Sequence, residues 1–225
     1  MRGLIITIDG PSASGKSTVA RGVAAALGYR HVDSGALYRA ITWQVLEAGV
    51  KPDDMVGVTR VLAALTLEWL PGEHAFLFRL AGREPGPEIR SPAVAAAVSA
   101  VAAIPAVREW ANRAFRQTPE WGGVVMDGRD IGSVVFPEAR HKFYLDADPS
   151  VRAKRRLGEQ TGDGAGAGLD GVLEALKRRD AFDRARREAP LAVPPGARVI
   201  DTGALTQAEV VRTVLDGVQT EEARR

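Results

Sequence analysis

Gly10, Pro11, Ser12, Ala13, Ser14, Gly15, Lys16 and Ser17 spell the pattern G-x-x-x-x-G-K-[ST], and Thr18 carries it into a helical stretch. Residues of these types at this spacing can do one thing well. Glycines let the backbone curl so that successive N–H groups face a single anion, and the helix that follows adds a favourable dipole at its N-terminus. Lys16 is placed to reach the β- and γ-phosphates of a nucleoside triphosphate, and the Ser17 hydroxyl to join the coordination of Mg²⁺. A chance glycine-rich turn is the bland reading, and it does not account for the strand before the motif or the helix after it.

Arginine marks the other candidate sites. Arg39 follows the second predicted strand and Arg129 follows Asp127; Arg152, Arg155 and Arg156 lie at i, i+3 and i+4, one face of a helix. Arg179, Asp183 and Arg186 share a face at i, i+4 and i+7. Phosphoryl transfer asks a protein mainly to align oxygens and neutralise spreading charge, and the planar guanidinium does this without losing its proton. An ATPase that only hydrolyses has no use for phosphate-binding groups on so many segments, whereas a kinase with a phosphorylated acceptor does. Arg39 has a plainer alternative, a surface pair with Glu47, and Asp127 has one as a turn cap. His31, His74 and His141 have no partner spacing and read as structural, and Trp43, Trp69, Trp110 and Trp121 as packing residues.

The elements that must position these groups alternate apolar runs with helical stretches, the pattern of a parallel sheet with crossover helices. Leu4 to Ile8 ends at Asp9, Arg30 to Val32 at Asp33, Val124 to Met126 at Asp127, Lys142 to Leu145 at Asp146, and Arg198 to Ile200 at Asp201. A last amphipathic helix follows, about Thr206 to Val218. Ligands gather at the carboxyl ends of such strands, which makes Asp33 and Asp127 site candidates, while Asp146 and Asp201 read as capping turns. From about Thr59 to Gln117 the rhythm breaks. Leu65 to Trp69 and Ala75 to Leu80 read as short antiparallel strands about a Pro71-Gly72 turn, followed by helices at Ala93 to Ala103 and Pro105 to Gln117. This insertion is a candidate acceptor-binding subdomain. Residues 158–171 hold six glycines, can bury little, and are expected to be mobile. The two charged helical arms beside them read either as a lid or as a solvated hairpin.

Composition narrows the classes. The 225 residues are 45% hydrophobic and only 6% aromatic, enough for one α/β unit with an aliphatic core. Against 28 acidic residues stand 30 Lys and Arg, a formal +2 that gives no argument for nucleic acid or membrane partners. With no cysteine there are no disulfides, Cys-based zinc sites or thiol catalysis. The chain enters its first strand at once, so no signal peptide is expected, and no apolar run approaches the ~18 residues of a membrane span. A cytoplasmic protein is expected. A GTP-dependent switch is disfavoured, because the sole asparagine, Asn112, is followed by Arg113 and not by the lysine of Asn-Lys-x-Asp.

These residues, taken together, resemble the bacterial cytidylate kinases, which transfer a phosphoryl group from ATP to CMP or dCMP. The resemblance runs nearly end to end: Ile8 to Thr18, Asp33-Ser-Gly-Ala-Leu-Tyr-Arg39, Gly82 to Arg90, Asp127-Gly-Arg-Asp-Ile-Gly-Ser-Val-Val-Phe-Pro137, Lys142 to Ala147, and Arg179 through Leu191. It implies that Ser34, Arg108 and Asp130 read the cytosine, a chemistry that fits, since a carboxylate accepts from the exocyclic amino group while an arginine donates to the acceptor edge. It also implies Arg39, Arg129 and Arg186 on the CMP phosphate, Arg179 with Asp183 near the ribose, and Arg152, Arg155 and Arg156 in a lid over the ATP phosphates. Mg²⁺ would sit by Ser17, with Asp33 or Asp127 acting through water. The expected fold is an α/β P-loop kinase with a five-stranded parallel sheet: one kinase domain, 1–225, with a core of 1–33, 118–150 and 187–225, a nucleoside-monophosphate-binding subdomain at 34–117 and a lid at 151–186, acting as a monomer. Ser133 stands where many members have threonine, which preserves a hydroxyl, and the tip Gly162 to Gly168 is unusually glycine-rich.

Overall fold

The computed structural model describes residues 3–159 and 168–222. Most of the expected glycine-rich tip, residues 160–167, lies outside the described residues. The parallel strands are β1 (Ile5–Asp9), β2 (Arg30–Asp33), β5 (Val124–Gly128), β6 (His141–Asp146) and β7 (Arg198–Asp201), in one sheet of order β2-β5-β1-β6-β7. This is the five-stranded parallel sheet read from the sequence, each run extended by one residue or so to take in the aspartate that closes it. A second, antiparallel pair joins β3 (Leu67–Pro71) to β4 (Phe76–Leu80), with Leu67 opposite Leu80. The first of these starts two residues later than expected. An intervening helix, α3 (Met55–Ala64), capped by the Asp54 carboxylate on Gly57 N, claims Leu65, whose N–H returns to the carbonyl of Leu62.

The chain divides into two compact units. One contains Met1–Ile5 and Ala24–Asp127. In it β2 pairs with β5, Arg30 opposite Val124 and Asp33 opposite Asp127. Helix α2 (Ser34–Glu47) starts directly at the end of β2, its first turn capped by Asp33, which accepts from Ala36 N at 2.9 Å. α4 (Pro92–Val101) and α5 (Pro105–Phe115) each open on a proline, whose missing N–H costs nothing in the first turn. Leu37, Ile41, Val45 and Phe115 are fully buried. Trp69, half-buried, packs among Phe76, Phe78 and Phe115, with centroids 5.7 to 6.3 Å apart, and so is a packing residue, as expected.

The other unit contains Ile6–Val23 and Gly128–Arg225. Here β1 pairs with β6, and β6 with β7. α1 (Lys16–Leu27) begins at the end of the phosphate-loop motif, and α8 (Gln207–Glu222) closes the chain. The two charged arms are α6 (Pro149–Glu159) and α7 (Leu169–Ala185). They are not merely solvated: Ala153, Val172 and Leu176 form a small buried cluster, with Leu157 and Leu173 packed on it. Among the described residues no single helix is long and apolar enough to cross a membrane.

Candidate active site

The motif residues form a loop between β1 and α1. Gly10, Ala13 and Gly15 all have positive φ, at 149°, 60° and 90°. A Cβ at Gly15 would meet nothing within 4 Å, so glycine is required there by the backbone and the space in front of the loop is open. Lys16 is only 5% exposed and folds its ammonium back onto the loop, donating to the Pro11 carbonyl at 2.6 Å. A positive charge held over an open cradle at a helix N-terminus is what an anion needs, and the cradle therefore fits a polyphosphate. Ser17 supplies one hydroxyl at the start of α1. The described residues contain no group of three His, Asp or Glu side chains that could hold a metal. That donor set fits Mg²⁺, which takes one or two protein ligands and completes its shell with phosphate oxygens and water.

The loop is clamped from the arms. Arg152, 2% exposed, donates to the Asp180 carboxylate at 2.7 Å, to the Ser12 carbonyl at 3.1 Å and to Ala147 O at 2.9 Å. Asp180, 1% exposed, in turn accepts from Ser12 N at 3.4 Å. Both polar groups of one loop residue are thus held by one buried ion pair. Arg155 reaches elsewhere, donating to the hydroxyl and carbonyl of Thr202, and that hydroxyl also lies 3.2 Å from Ser14 O. Arg156 is exposed and pairs with Glu159. The three arginines share a helix, and each goes to different partners.

A second set converges on Asp183. Arg129 Nε donates to one oxygen at 3.2 Å and Arg186 to the other. The carboxylate is 1% exposed, so two guanidinium groups are held side by side by one buried acid. Arg179 lies on the same helix, partly exposed. Asp130 is buried at the end of this segment.

In the first unit, Ser34 is buried and its hydroxyl donates to the Asp127 carbonyl at 2.6 Å. The Asp127 carboxylate accepts from His31 Nε2 at 2.7 Å, both groups being 5% exposed. His31, which the spacing left as a structural residue, is therefore the partner that orients a candidate acid. Arg39 pairs with Asp33 at 3.3 Å; Glu47 pairs with Arg83. Arg108, 4% exposed, donates to Ala102 O and lies 5.3 Å from the Tyr38 ring centroid. Asp146 and Asp201 accept from the nearby Ala147 and Gly203 N–H groups, local capping contacts as expected.

Sequence reasoning passed over Asp9, Asp180 and Thr202. Asp9 is fully buried, and its oxygens accept from Ile131 N at 2.8 Å and Gly132 N at 2.7 Å. Burial pushes its carboxyl from 3.8 up to about 7, with Asp130 adding to the rise; the two amides and the Lys16 ammonium pull the other way. The available signal was position: a strand-ending aspartate immediately before Gly10.

A strand that runs into an anion-cradling loop and a helix, within a parallel sheet and beside arginine-bearing arms, defines the P-loop kinase class. A family model described as Cytidylate kinase matches residues 6–220, and the chain belongs to that family. It is 47% identical over 215 residues to the Cytidylate kinase of Thermus thermophilus, covering 96% of this chain and 98% of that one. Against the Cytidylate kinase of Caldanaerobacter subterraneus subsp. tengcongensis the identity is 42% over 214 residues, 95% of this chain and 94% of the other. Among solved structures, an uncharacterized protein from Eubacterium ventriosum superposes with a TM-score of 0.56 at 13% identity, covering 97% of this chain and 99% of that one, a likeness of fold alone.

Two outcomes are expected. Asp180→Ala leaves Arg152 buried without its acid and costs about 3–5 kcal/mol of stability in urea unfolding, whereas Arg156→Ala, at an exposed pair, changes it by less than about 1 kcal/mol. For Asp9 the folded state holds its proton more tightly than the unfolded chain does. Its protonation therefore stabilises the fold fully below about pH 4, and that contribution is lost as pH rises to about 7. The stability difference between the natural protein and Asp9→Asn should fall by roughly 4 kcal/mol across that window. Urea titrations at unit pH steps check it, and a flat difference refutes it.

Proposed function

We propose that the protein phosphorylates CMP and dCMP to CDP and dCDP with ATP and Mg²⁺ in pyrimidine nucleotide metabolism, acting as a cytoplasmic monomer on free nucleotides. The observation that carries the reading is the second anion-binding set: Arg129 and Arg186 gathered on buried Asp183, in the same unit as the phosphate loop. A hydrolase needs the loop and not the pair. Membership of the cytidylate kinase family supports the choice of cytosine, and the small net charge gives no argument for nucleic acid.

Gly10 to Thr18 hold the donor phosphates, with Lys16 on the β- and γ-oxygens. Mg²⁺ when bound neutralises charge on those oxygens; Ser17 holds it, with Asp33 or Asp127 acting through water. Arg39, Arg129 and Arg186 bind the acceptor phosphate, each coming from a pair with a protein carboxylate and so already oriented. Arg179 and Asp183 meet the ribose. Ser34, Arg108 and Asp130 read the base: Asp130 accepts from the cytosine amino group, and Arg108 donates to its acceptor edge. Uracil puts an oxygen where that amino group stands, opposite a carboxylate, and is rejected by repulsion and by an unpaired acceptor. Residues 34–117 serve as the acceptor subdomain. Residues 151–186 serve as the lid, Arg152, Arg155 and Arg156 closing over the donor and excluding water that would otherwise take the phosphoryl group.

With Mg-ATP and a panel of CMP, dCMP, UMP, AMP and GMP, the cytidine nucleotides should be turned over fastest; strong use of AMP with none of CMP overturns the reading. Arg39→Ala and Arg129→Ala are each expected to lose on the order of 100-fold in kcat/KM for CMP, the scale of removing one preorganised donor from a reacting group. Asp130→Ala should raise the KM for CMP and narrow the preference over UMP. Unchanged kinetics in all three would refute the acceptor-site assignment.

A further inference from the structure

Asp9 has a use that the phosphate loop does not explain. It closes β1 one residue before Gly10, yet its carboxylate turns to the segment after β5 and accepts one N–H on each oxygen, from Ile131 and Gly132. Those two amides begin a π-helical turn, Ile131–Val135. Within the turn, Val134 N and Val135 N bond to Asp130 O, and Phe136 N to Ile131 O. The first amides of any helical turn have no partner inside it, and here a buried carboxylate from another strand takes both. Asp130 is the residue just outside the turn, with φ −147° and ψ 23°. Its backbone leads directly into Ile131, so what holds Ile131 bears on its orientation.

The fit leaves no slack. A Cβ on Gly132 would come 2.6 Å from Thr7 Oγ1, 3.2 Å from Asp9 Oδ2 and 3.2 Å from Pro194 Cγ, so a side chain there would push the turn off the carboxylate. The charged groups that act on Asp9 are Asp130, which repels it, and Lys16, which attracts it. The two hydrogen bonds to the turn are thus made by an acid that a second acid repels.

Building on the CMP kinase reading, we propose that Asp9 is a positioning residue for base selection: by holding the Ile131 and Gly132 amides it sets Asp130 in the orientation that accepts from cytosine. It acts through Asp130 and touches no substrate. The same side chain anchors the base-reading segment to the strand that enters the phosphate loop.

Asp9→Asn is nearly isosteric and replaces one acceptor oxygen by an amide that faces an N–H. The expected result is a KM for CMP raised about tenfold, the effect of one lost hydrogen bond of ~1.4 kcal/mol. The CMP-over-UMP ratio of kcat/KM should fall by a similar factor, with kcat at saturating CMP within a few-fold. A residue that only stabilised the fold would lower the active fraction and scale both acceptors alike, leaving the ratio and the KM unmoved. In an Asp130→Ala background, Asp9→Asn should change the ratio no further. Gly132→Ala displaces the same amides without touching the charge, should move the ratio in the same direction, and carries the test if Asp9→Asn does not fold. A CMP-over-UMP ratio within twofold of the natural protein's in both variants overturns the assignment. A natural protein that turns over no CMP overturns the kinase reading itself, and the role of Asp9 with it.

Discussion

Every strand of the parallel sheet carries an aspartate at or next to its last residue, and the need of those carboxylates for donors, sharpest at buried Asp9 and Asp127, is the constraint around which the strand ends are organised. Within each unit the strands run parallel, so their carboxyl ends share an edge, and an acid placed there must find donors or lose its charge. Asp9 takes two backbone amides, Asp33 the first turn of α2 with Arg39, Asp127 the His31 ring, and Asp146 and Asp201 the amides just beyond them. Each solution fixes a local direction of the chain. The helix after β2 starts where Asp33 can cap it, and the turn after β5 starts where Asp9 can.

The arginines follow the same logic in reverse. A guanidinium drawn out of water must be neutralised, and Asp183 and Asp180 do this for Arg129, Arg186 and Arg152. Such pairs contribute little net stability against an apolar replacement, and their value lies in fixing geometry. In the proposed reaction an incoming phosphate would meet groups already aimed, so less rotamer freedom would be lost on binding than with free side chains. The exposed pairs, Arg156 with Glu159 and Arg113 with Glu109, lack that burial and fix little geometry.

Much of this was legible in the sequence, and what was not follows from side-chain reach. The phosphate loop, the five apolar runs and their terminal aspartates are local patterns, and the structure reproduces them. The spacing of Arg152, Arg155 and Arg156 correctly put them on one helix, but helical periodicity fixes only where a Cβ points. An arginine stem then spans to Asp180, to Thr202 or forward along its own helix to Glu159, according to its neighbours. Asp9 looked like one more strand end because its donors lie more than a hundred residues away, in a π-helical turn that no propensity marks. His31 had no partner at any recognisable spacing; strand pairing brought Asp127 to it.

The unit that carries the phosphate loop is assembled from two stretches of chain, Ile6–Val23 and Gly128–Arg225. Its first strand lies against His141 to Tyr144, and its loop is gripped by Arg152, Asp180 and Thr202. During synthesis the loop sequence leaves the ribosome well ahead of its neighbours, which follow 140 to 188 residues later in the chain. Pairing at such separation is entropically costly and slow. The nucleotide cradle is therefore a late product of folding, and a nascent or truncated chain carries the motif without the site.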